Sequence, residues 1–363
     1  MQRRMIALTA GLGLWLMFAS SAAMAQYKLI NLDSNQVGQA SHADQLLVNG
    51  WGIVHGPGTP WWVSDNNSGW STLYGGNGMQ NKGLKVLIPT AGNGPDSGNG
   101  LNGPGSPTGV VFNGNGGFNV MVAGGSPWSS FFLFATLDGT ISGWAPQANF
   151  NQAILAVDNS AAGSVYTGLA ISNNAKGPNF LYAADMANNK VDVFDSTFTP
   201  VKNANAFSDP AAIPAGFAPF GIRDINGTVY VTFASVTGGS GGFVELFTED
   251  GTPVTPGKAL IHGAPLNQPW GIALAPRNFG TLSNTVLISN NTNSGTINGF
   301  NRTTGTLVGT MKDATTGKQI VINQLWGIDF GDGIGGNGPT NELFFAAGPA
   351  NNLAGTFGTI EVK

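Results

Sequence analysis

Trp51-Gly52-Ile53 is the stretch that decides the fold, because close copies of it return along the chain. The clear copies are Phe220-Gly221-Ile222, Trp270-Gly271-Ile272 and Trp326-Gly327-Ile328, and the weaker ones are Thr108-Gly109-Val110 and Thr167-Gly168-Leu169. Their glycines, at 52, 109, 168, 221, 271 and 327, lie 50 to 59 residues apart. A repeat of roughly this length that holds several short strands is typical of a β-propeller. The sequence therefore predicts an all-β fold, a six-bladed β-propeller of four-stranded antiparallel blades.

The composition agrees with such a fold. Glycine accounts for 55 of the 363 residues and proline for 20, while 42% of residues are hydrophobic and 9% are charged. A chain of this kind can bury a core and still make many tight turns. It has no cysteine, which excludes disulfides and thiolate metal sites. The formal net charge of −4 argues against nucleic acid as a partner, because binding phosphates requires a basic surface.

The N-terminus has the three parts of a secretory signal peptide. Arg3 and Arg4 give a positive start, residues 6–18 form an apolar run, and Ala23-Met24-Ala25 is a small-x-small cleavage site. The run is too short for a transmembrane helix, and no later segment reads as a membrane span. We expect residues 1–25 to be a signal peptide and residues 26–363 to be one propeller domain, secreted or periplasmic. Cleavage removes two arginines and no acid, so the net charge of −4 becomes −6.

Hydrophobic alternation predicts four strands in most repeats. The last repeat has three, at 326–330, 343–346 and 356–362, and Tyr27 to Leu32 reads as a further strand. We expect this N-terminal strand to be the outer strand of the last blade, because pairing the two termini closes the ring and removes exposed edges. An extra strand-like segment at 118–122 predicts an insertion in the second repeat. A weak stretch near Val201 is expected to be the outer strand of the third.

The repeated tripeptide also predicts how the inner strands pack. Its aromatic residue and its isoleucine are two positions apart, so a regular strand would turn both to one face. We expect that pair to fill the wedge between neighbouring blades as buried structural residues. The glycine between them is expected where backbones approach closely as the blades converge.

Several blocks of the sequence resemble those of a known family. They are Phe132 through Trp144, Leu181 to Asp185 with Lys190 to Asp195, Pro269 to Pro276, and Phe345 to Pro349. The family consists of functionally uncharacterised exported bacterial proteins related to NHL-type six-bladed propellers, and the similarity covers essentially the whole mature chain. Some members carry a PEP-CTERM sorting tail, which Thr359 to Lys363 does not match, so a soluble product is expected. The resemblance implies fold and export and carries over no catalytic residue.

The turns after the second strands of repeats one, three and five are rich in aspartate and asparagine. In a propeller such turns surround the mouth of the central channel. The candidates there for binding a ligand or a metal are Asp65, Asn66, Asp185, Asn188, Asn290 and Asn291. Because Ca²⁺ prefers oxygen ligands, Asp65, Asp185 and Asn290 form a candidate calcium site. The alternative is that these residues are present because tight turns favour them.

Amide side chains also precede several inner strands and would approach the same mouth. They are Asn49, Asn267, Gln268, Asn323 and Gln324. Together with the turns they predict a neutral, amide-rich rim, which suits hydrogen bonding to sugars or peptides better than the binding of strong anions.

Three further residues are candidates to line the channel. Arg223 and Asp329 both follow a repeat glycine by two residues, in repeats four and six, and His55 follows the first tripeptide. An ordinary structural ion pair is the alternative for Arg223 and Asp329. The three histidines lack the spacing of a zinc site.

These features support three function hypotheses. The first is an exported, non-catalytic binding module whose amide-rich mouth contacts a peptide, a glycan or an envelope protein. The alternative is a Ca²⁺-dependent lactonase- or hydrolase-like enzyme in which a metal at the Asp65, Asp185 and Asn290 turns polarises a carbonyl, by analogy with lactonase-like propellers. The third is a structural part of the envelope or matrix. The scarcity of charge and of histidine favours the first.

Overall fold

Six antiparallel sheets surround a central channel in the computed structural model, which describes residues 27–92, 104–172, 179–202 and 206–363. The predicted signal peptide, 1–25, lies outside the described residues and stays a prediction. Nearly all regular structure is strand, as expected. The described helical elements are 3-10 turns at Ser160–Ala162 and Gly280–Leu282 and a four-residue segment at Pro349–Asn352.

Three blades have four strands that follow one another in the chain, from the channel outward. Blade 1 consists of Gly50–Val54, Trp61–Asp65, Trp70–Tyr74 and Val86–Leu87. Blade 4 consists of Phe217–Ile225, Thr228–Ser235, Phe243–Thr248 and Ile261–His262. Blade 5 consists of Pro269–Leu274, Thr285–Asn290, Ile297–Asn301 and Leu307–Thr310. These blades confirm the prediction of four antiparallel strands in a repeat.

Blade 2 contains the predicted insertion. Its four strands are Pro107–Phe112, Phe132–Thr136, Thr140–Trp144 and Ile154–Asp158. Between the first two, Asn119–Val120 pairs with Trp128–Ser129 in a separate two-stranded hairpin. Val120 packs with Ala145 and Ile154 of the blade, so the hairpin is an addition to blade 2 and not a further blade.

Blade 3 departs from the predicted layout. Its named strands are Tyr166–Ile171, Leu181–Asp185 and Lys190–Phe194. The expected outer strand near Val201 is reduced to a bridge between Phe194 and Pro200 and one hydrogen bond from the Val201 amide to the Val193 carbonyl, 2.8 Å. Proline has no amide hydrogen to extend the pairing, which explains why the described part of this segment forms no strand.

Blade 6 is closed by the N-terminal strand, as predicted. It consists of Leu325–Phe330, Leu343–Ala347, Thr356–Val362 and then Tyr27–Ser34, with His42–Ala43 pairing in parallel at the edge. The first and last of the described strands are antiparallel neighbours, with Tyr27 opposite Val362 and Ser34 opposite Thr356. The buried Tyr27 hydroxyl donates to the Phe279 carbonyl of blade 5, 2.8 Å, which fixes the closing strand to the adjacent blade.

The repeat glycines lie where the inner strands approach one another, as expected. A Cβ atom on Gly271 would lie 2.6 Å from the Trp326 carbonyl oxygen of the next blade, and one on Gly327 would lie 2.8 Å from that of Trp51. A Cβ on Gly221 would overlap the Trp270 carbonyl in the same way. Because these distances are shorter than van der Waals contact, the positions have no room for a side chain.

The expectation that the aromatic and isoleucine share one face is wrong, and a β-bulge is the reason. In blade 1, Gly50 pairs with Asp65 and Ile53 pairs with Val63, so the inner strand has one more residue than its partner. Blades 5 and 6 show the same shift. An extra residue reverses the alternation beyond it. The isoleucines therefore pack in the cores between blades, while the aromatics turn to the channel axis.

Candidate functional site

The mouth of the channel, on the face that carries the turns after the second strands, is filled by aromatic side chains. Trp51 and Trp326 stack with ring centroids 3.5 Å apart, and Trp270 meets both edge-on at 6.3 and 5.9 Å. Phe220 packs against Trp326 at 5.7 Å. Hydrogen bonds fix two of the rings, from the Trp326 indole to the Asn49 side chain, 3.0 Å, and from the Trp270 indole to the Thr167 carbonyl, 2.9 Å.

Blades 2 and 3 have threonine where the other blades have these aromatics. The Thr108 hydroxyl donates to the Tyr166 carbonyl, 2.7 Å, and the Thr167 hydroxyl donates to the Phe220 carbonyl, 2.8 Å, so each ties its inner strand to the next. Leu137 and Met186, from the turns of the same two blades, pack against the aromatic cluster. All six blades thus contribute to one solid mouth.

Leu137 and Met186 belong to a set of six equivalent positions, each directly after the second strand of its blade. In blade order the set is Asn66, Leu137, Met186, Val236, Asn291 and Gly348. Blades 2, 3 and 4 present apolar side chains, including Val236 at 51% exposure, and blades 5, 6 and 1 present amides or glycine. The mouth therefore has an apolar half and an amide half. Leu137 and Met186 are not among the site residues predicted from the sequence, although both follow a second strand directly, as Asn66 does, and this equivalence was the signal that could have located them.

The two asparagines of this set each form a hydrogen bond to the next blade. The Asn66 side chain donates to the Pro107 carbonyl at the start of the next inner strand, 3.0 Å. The Asn291 side chain donates to the Leu325 carbonyl at the matching place between blades 5 and 6, 3.3 Å. Their donors are therefore engaged within the protein.

Asp65 is buried away from the mouth, between the first and last blades. Its Oδ2 atom lies 2.7 Å from the Thr72 hydroxyl, which lies 2.8 Å from the Tyr74 hydroxyl, which in turn donates to Asp44, 2.9 Å. Burial, with smaller contributions from Asp44 and Asp33, raises the pKa of Asp65 well above its ordinary value. The Thr72 hydroxyl donates to Asp65, and the Tyr74 hydroxyl donates to the Asp44 carboxylate, so both acids accept hydrogen bonds from the hydroxyls of blade 1.

Asp33, on the closing strand, completes this buried acidic cluster. Its side chain is fully buried, and neither carboxylate oxygen has a hydrogen-bond partner among the described residues. Burial and the neighbouring Asp44 raise its pKa to about 6. Sequence analysis missed Asp33 and Asp44, because they meet Asp65 only through the pairing of the chain ends.

Asp185 and Asn290 bond within their own blades. One Asp185 oxygen accepts from the amides of Val165, 3.1 Å, and Asn188, 3.2 Å, and the other accepts from the Asn188 side chain, 2.8 Å. The Asn290 oxygen accepts from the amide of Asn267, 3.0 Å. Both side chains thus brace the connection that enters their blade.

The calcium candidates therefore do not form a shared ligand set in the described structure. Asp65 faces Thr72 and the acidic cluster, while Asp185 and Asn290 face their own connections. Within the described ranges, no three histidine, aspartate or glutamate side chains are grouped so that they could hold a metal ion. The contacts of these turns match the alternative, that polar residues stabilise tight turns.

The amides before the inner strands surround the mouth and also have a backbone role. Asn49, Gln268 and Gln324 occupy equivalent positions and all have positive φ, 55°, 51° and 51°. The Gln268 side chain donates to the Gly239 carbonyl, 2.9 Å, and the Gln324 side chain donates to Asn293, 2.9 Å. Asn323 donates to the Asn293 carbonyl, 3.0 Å.

Below the aromatic mouth the channel opens into a cavity of about 350 Å³. Arg223, Asp329 and His55 all line it, so the structure brings the three channel candidates to one place. Arg223 contacts both oxygens of Asp329, at 2.8 and 2.9 Å, and donates to the Ile272 carbonyl of the intervening blade, 2.9 Å. The side chains are 35% and 15% exposed, so the pair is partly hydrated.

His55 is held by blade 6 and not by the ion pair. Its Nε2–H donates to the Phe330 carbonyl, 2.9 Å, and its Nδ1 accepts from the Asn337 side chain, 3.1 Å. Asp332 lies 3.5 Å from Nδ1. Both ring nitrogens are thus used to fix the cavity wall.

The six sheets, the closing strand and the plugged channel define the chain as a six-bladed β-propeller. Among the described residues, no helix has the length and hydrophobicity that crossing a bilayer requires. No protein-family model matches the chain.

Relatives in Acanthamoeba polyphaga mimivirus establish the family. Protein L690 is 30% identical over 362 residues, which cover 94% of this chain and 88% of the relative. Protein R648 is 29% identical over 364 residues, covering 94% and 82%. The chain belongs to the family of these proteins. Both are named as uncharacterized, so they bring no activity with them. They are viral, whereas the resemblance in the sequence was to bacterial proteins, and the bacterial and exported parts of that prediction stay untested.

Solved structures agree with the fold. A calcium-binding regucalcin from Agrobacterium tumefaciens superposes with a TM-score of 0.50 at 13% identity, covering 87% of this chain and 92% of that one. A virginiamycin B lyase from Staphylococcus aureus has a TM-score of 0.48 at 14% identity, covering 93% and 100%. At such identities the likeness concerns the fold alone.

Proposed function

We propose that the protein is an exported, non-catalytic binding module that holds its partner on the mouth of the propeller. The observation that supports this most is that all six blades build one solid mouth, closed by the Trp51 and Trp326 stack. A surface of this kind offers contact area in place of a deep pocket around reactive groups. The export and the bacterial relationship belong to the same proposal.

The two halves of the mouth indicate the class of partner. Leu137, Met186 and Val236 offer apolar contact. The side-chain nitrogens of Gln268 and Gln324 donate within the protein, so these amides offer a ligand their carbonyl oxygens, which carry no net charge. A peptide or a glycan has both apolar faces and neutral hydrogen-bonding groups, so either fits such a surface. An envelope protein that presents a peptide segment or a glycan would bind in the same way.

Peptide and glycan arrays probed with residues 26–363 test this proposal. We expect ligands that the wild-type protein retains to be lost in Met186→Glu, which puts a charge in the apolar half. The matched control is Ile334→Glu, because Ile334 is 59% exposed away from the mouth and its change should leave binding intact. Binding that is equal in both variants would contradict the mouth as the site.

The Ca²⁺-dependent lactonase- or hydrolase-like alternative has one observation in its favour. The buried Oδ1 atom of Asp65 has no hydrogen-bond partner among the described residues. The bonds that Asp185 and Asn290 make within their blades do not fit a ligand set, so no catalytic step is derived through a metal. Thermal unfolding with EDTA and with millimolar Ca²⁺ separates the two functions, since a ligand of the native state raises the melting temperature by mass action. An unchanged melt would support the binding module.

A further inference from the structure

A groove of about 660 Å³ lies between blades 4 and 5 on the face opposite the mouth. One wall is formed by the start of the second strand of blade 4 and by the segment 254–260. The other is formed by the turn after the third strand of blade 5, residues 302–304. The groove is separate from the channel and from every candidate residue in the sequence.

Two cations enter this groove without an acidic partner. Lys258 and Arg302 both line it, and neither forms an ion pair within the described residues. The described lining contains no aspartate or glutamate. The whole chain has 15 basic residues against 19 acidic ones, so a groove whose described lining has two basic residues and no acidic one departs from the overall charge balance.

Tyr230 supplies a second, independent observation. Its side chain lines the groove and is 8% exposed, and its hydroxyl forms no hydrogen bond with the residues that the structure describes. The hydroxyl is not one of the buried atoms that lack a partner, so it is accessible from the groove and can donate to a ligand there. Burial raises the pKa of Tyr230 and the nearby Arg302 lowers it. The hydroxyl is therefore a protonated donor beside a cation.

The walls of the groove are held firmly. Gly305 has a φ of 70°, and a Cβ atom there would overlap the Leu260 carbonyl, so the blade 5 turn presses directly on the blade 4 wall. The Gly257 amide donates to the buried Asp209 carboxylate, 2.6 Å, which anchors the loop that carries Lys258. The backbone segments that carry Lys258 and Arg302 are therefore held in place by contacts within the protein.

We propose that this groove binds an oxyanion, a carboxylate or a phosphate, carried on a small hydroxylated molecule such as an acidic or phosphorylated sugar. Arg302 and Lys258 hold the charge by ion-paired hydrogen bonds, and the Tyr230 hydroxyl donates to the same group. The threonines at 228, 255, 303 and 304 face the hydroxylated remainder of the ligand. The groove would leave the mouth free, so both sites can be occupied together.

Calorimetric titration with glucuronate, glucose 6-phosphate and neutral glucose tests the proposal. We expect at least one of the two anions to bind and glucose not to bind, and the anion that binds identifies carboxylate or phosphate as the source. Arg302→Gln and Lys258→Gln should each weaken binding by about tenfold, since each removes a charge-assisted contact. Tyr230→Phe should weaken it less, and added salt should weaken it further.

Lys318→Gln is the matched control, because Lys318 is exposed and lies outside the groove. Lys318→Gln should leave the affinity for the anion unchanged. Met186→Glu should leave it unchanged as well, which would show that anion binding in the groove does not depend on the proposed binding site at the mouth. The proposal is overturned if neither anion binds at concentrations up to about 10 mM, the weak limit for a specific small ligand. It is equally overturned if the double variant Lys258→Gln/Arg302→Gln binds as the wild type does, with an unchanged melting temperature showing that it is folded.

Discussion

The two ends of the central channel are built from the same six inner strands and yet differ completely. At the mouth, Trp51, Trp270 and Trp326 are packed ring against ring. Toward the opposite face, the strands enclose a cavity of about 350 Å³ that is crossed by the Arg223 and Asp329 ion pair. One end is dry and filled, and the other is polar and partly hydrated.

A local feature of the backbone produces this difference. The bulge beside each Trp-Gly pair directs the aromatic to the axis and sends the following isoleucine into the core between blades. Beyond the bulge, the inner strands line the cavity with residues that include His55, Arg223 and Asp329, and space remains between them. In this propeller, the channel is therefore filled at the end where the bulges turn the aromatic side chains to the axis.

The largest expected loss of stability comes from truncating the aromatic cluster that fills the mouth. Trp326→Ala should lower the free energy of unfolding by about 4 kcal/mol, because it deletes a buried indole that packs on Trp51, Phe220 and Trp270 and leaves a cavity. Urea unfolding measures the loss. Trp128→Ala is the control, since Trp128 is 43% exposed on the blade 2 hairpin, and a loss of similar size there would refute the special role of the mouth.

The next effect tests whether close approach at the axis is required. Gly271→Ala should cost about 3 kcal/mol, because its Cβ would lie 2.6 Å from both the Trp326 carbonyl and the Ser289 hydroxyl. The matched control is Gly83→Ala on an exposed turn, where the nearest atom would be 3.4 Å away. If both changes have the same effect in chemical denaturation, the inner strands do not need glycine.

A third prediction compares two equivalent residues, Asp65 and Asp185, which end the second strands of blades 1 and 3. Asp185→Asn should lose about 2 kcal/mol at neutral pH, because a buried carboxylate that accepts from two backbone amides becomes a weaker acceptor. Asp65→Asn should lose less, because burial, with smaller contributions from Asp44 and Asp33, raises the pKa of Asp65 and so favours a neutral side chain at this position.

The pH dependence of stability tests the same comparison. The pKa of Asp65 is raised from 3.8, so the stability linked to its proton is complete below pH 3.8 and is lost as the pH rises through its folded value. Thermal melts between pH 5 and pH 9 should therefore show a smaller alkaline loss for Asp65→Asn than for the wild type. Identical slopes would mean that Asp65 is ionised in the folded protein.

The smallest effect is expected at the open end of the channel. Asp329→Asn should cost about 1 kcal/mol, because solvent screens a pair in which Arg223 is 35% exposed. The double variant Arg223→Met/Asp329→Asn should lose less than the sum of the two single changes, as measured by a double-mutant cycle. Additive losses would show that the two residues act independently.

The repeat predicted much of this architecture because every blade obeys the same geometry. The spacing of the glycines located the six inner strands, and the shortage of strands in the last repeat located the partner of Tyr27–Ser34. Arg223 and Asp329 were paired on the same grounds, since equivalent positions face one axis.

What the sequence did not predict depended on features that the repeat does not encode. A period of two cannot reveal a bulge, so the direction of Trp51 was misjudged. The surroundings of Asp65 depend on Asp33 and Asp44, which are distant in the chain until the ring closes. The groove between blades 4 and 5 combines an outer loop of one blade with a turn of the next, where neither segment has a motif.

The pairing of Tyr27–Ser34 with Thr356–Val362 also has a consequence for protein synthesis. Among the described strands, the one that leaves the ribosome first is bonded to the one that leaves it last. Blades 1 to 5 can assemble on the nascent chain before the partner of Tyr27–Ser34 has been synthesised, and the early strand keeps an unpaired edge during that time. We therefore expect blade 6 to be the last to form, so that a chaperone could still reach that edge until Thr356–Val362 has left the ribosome.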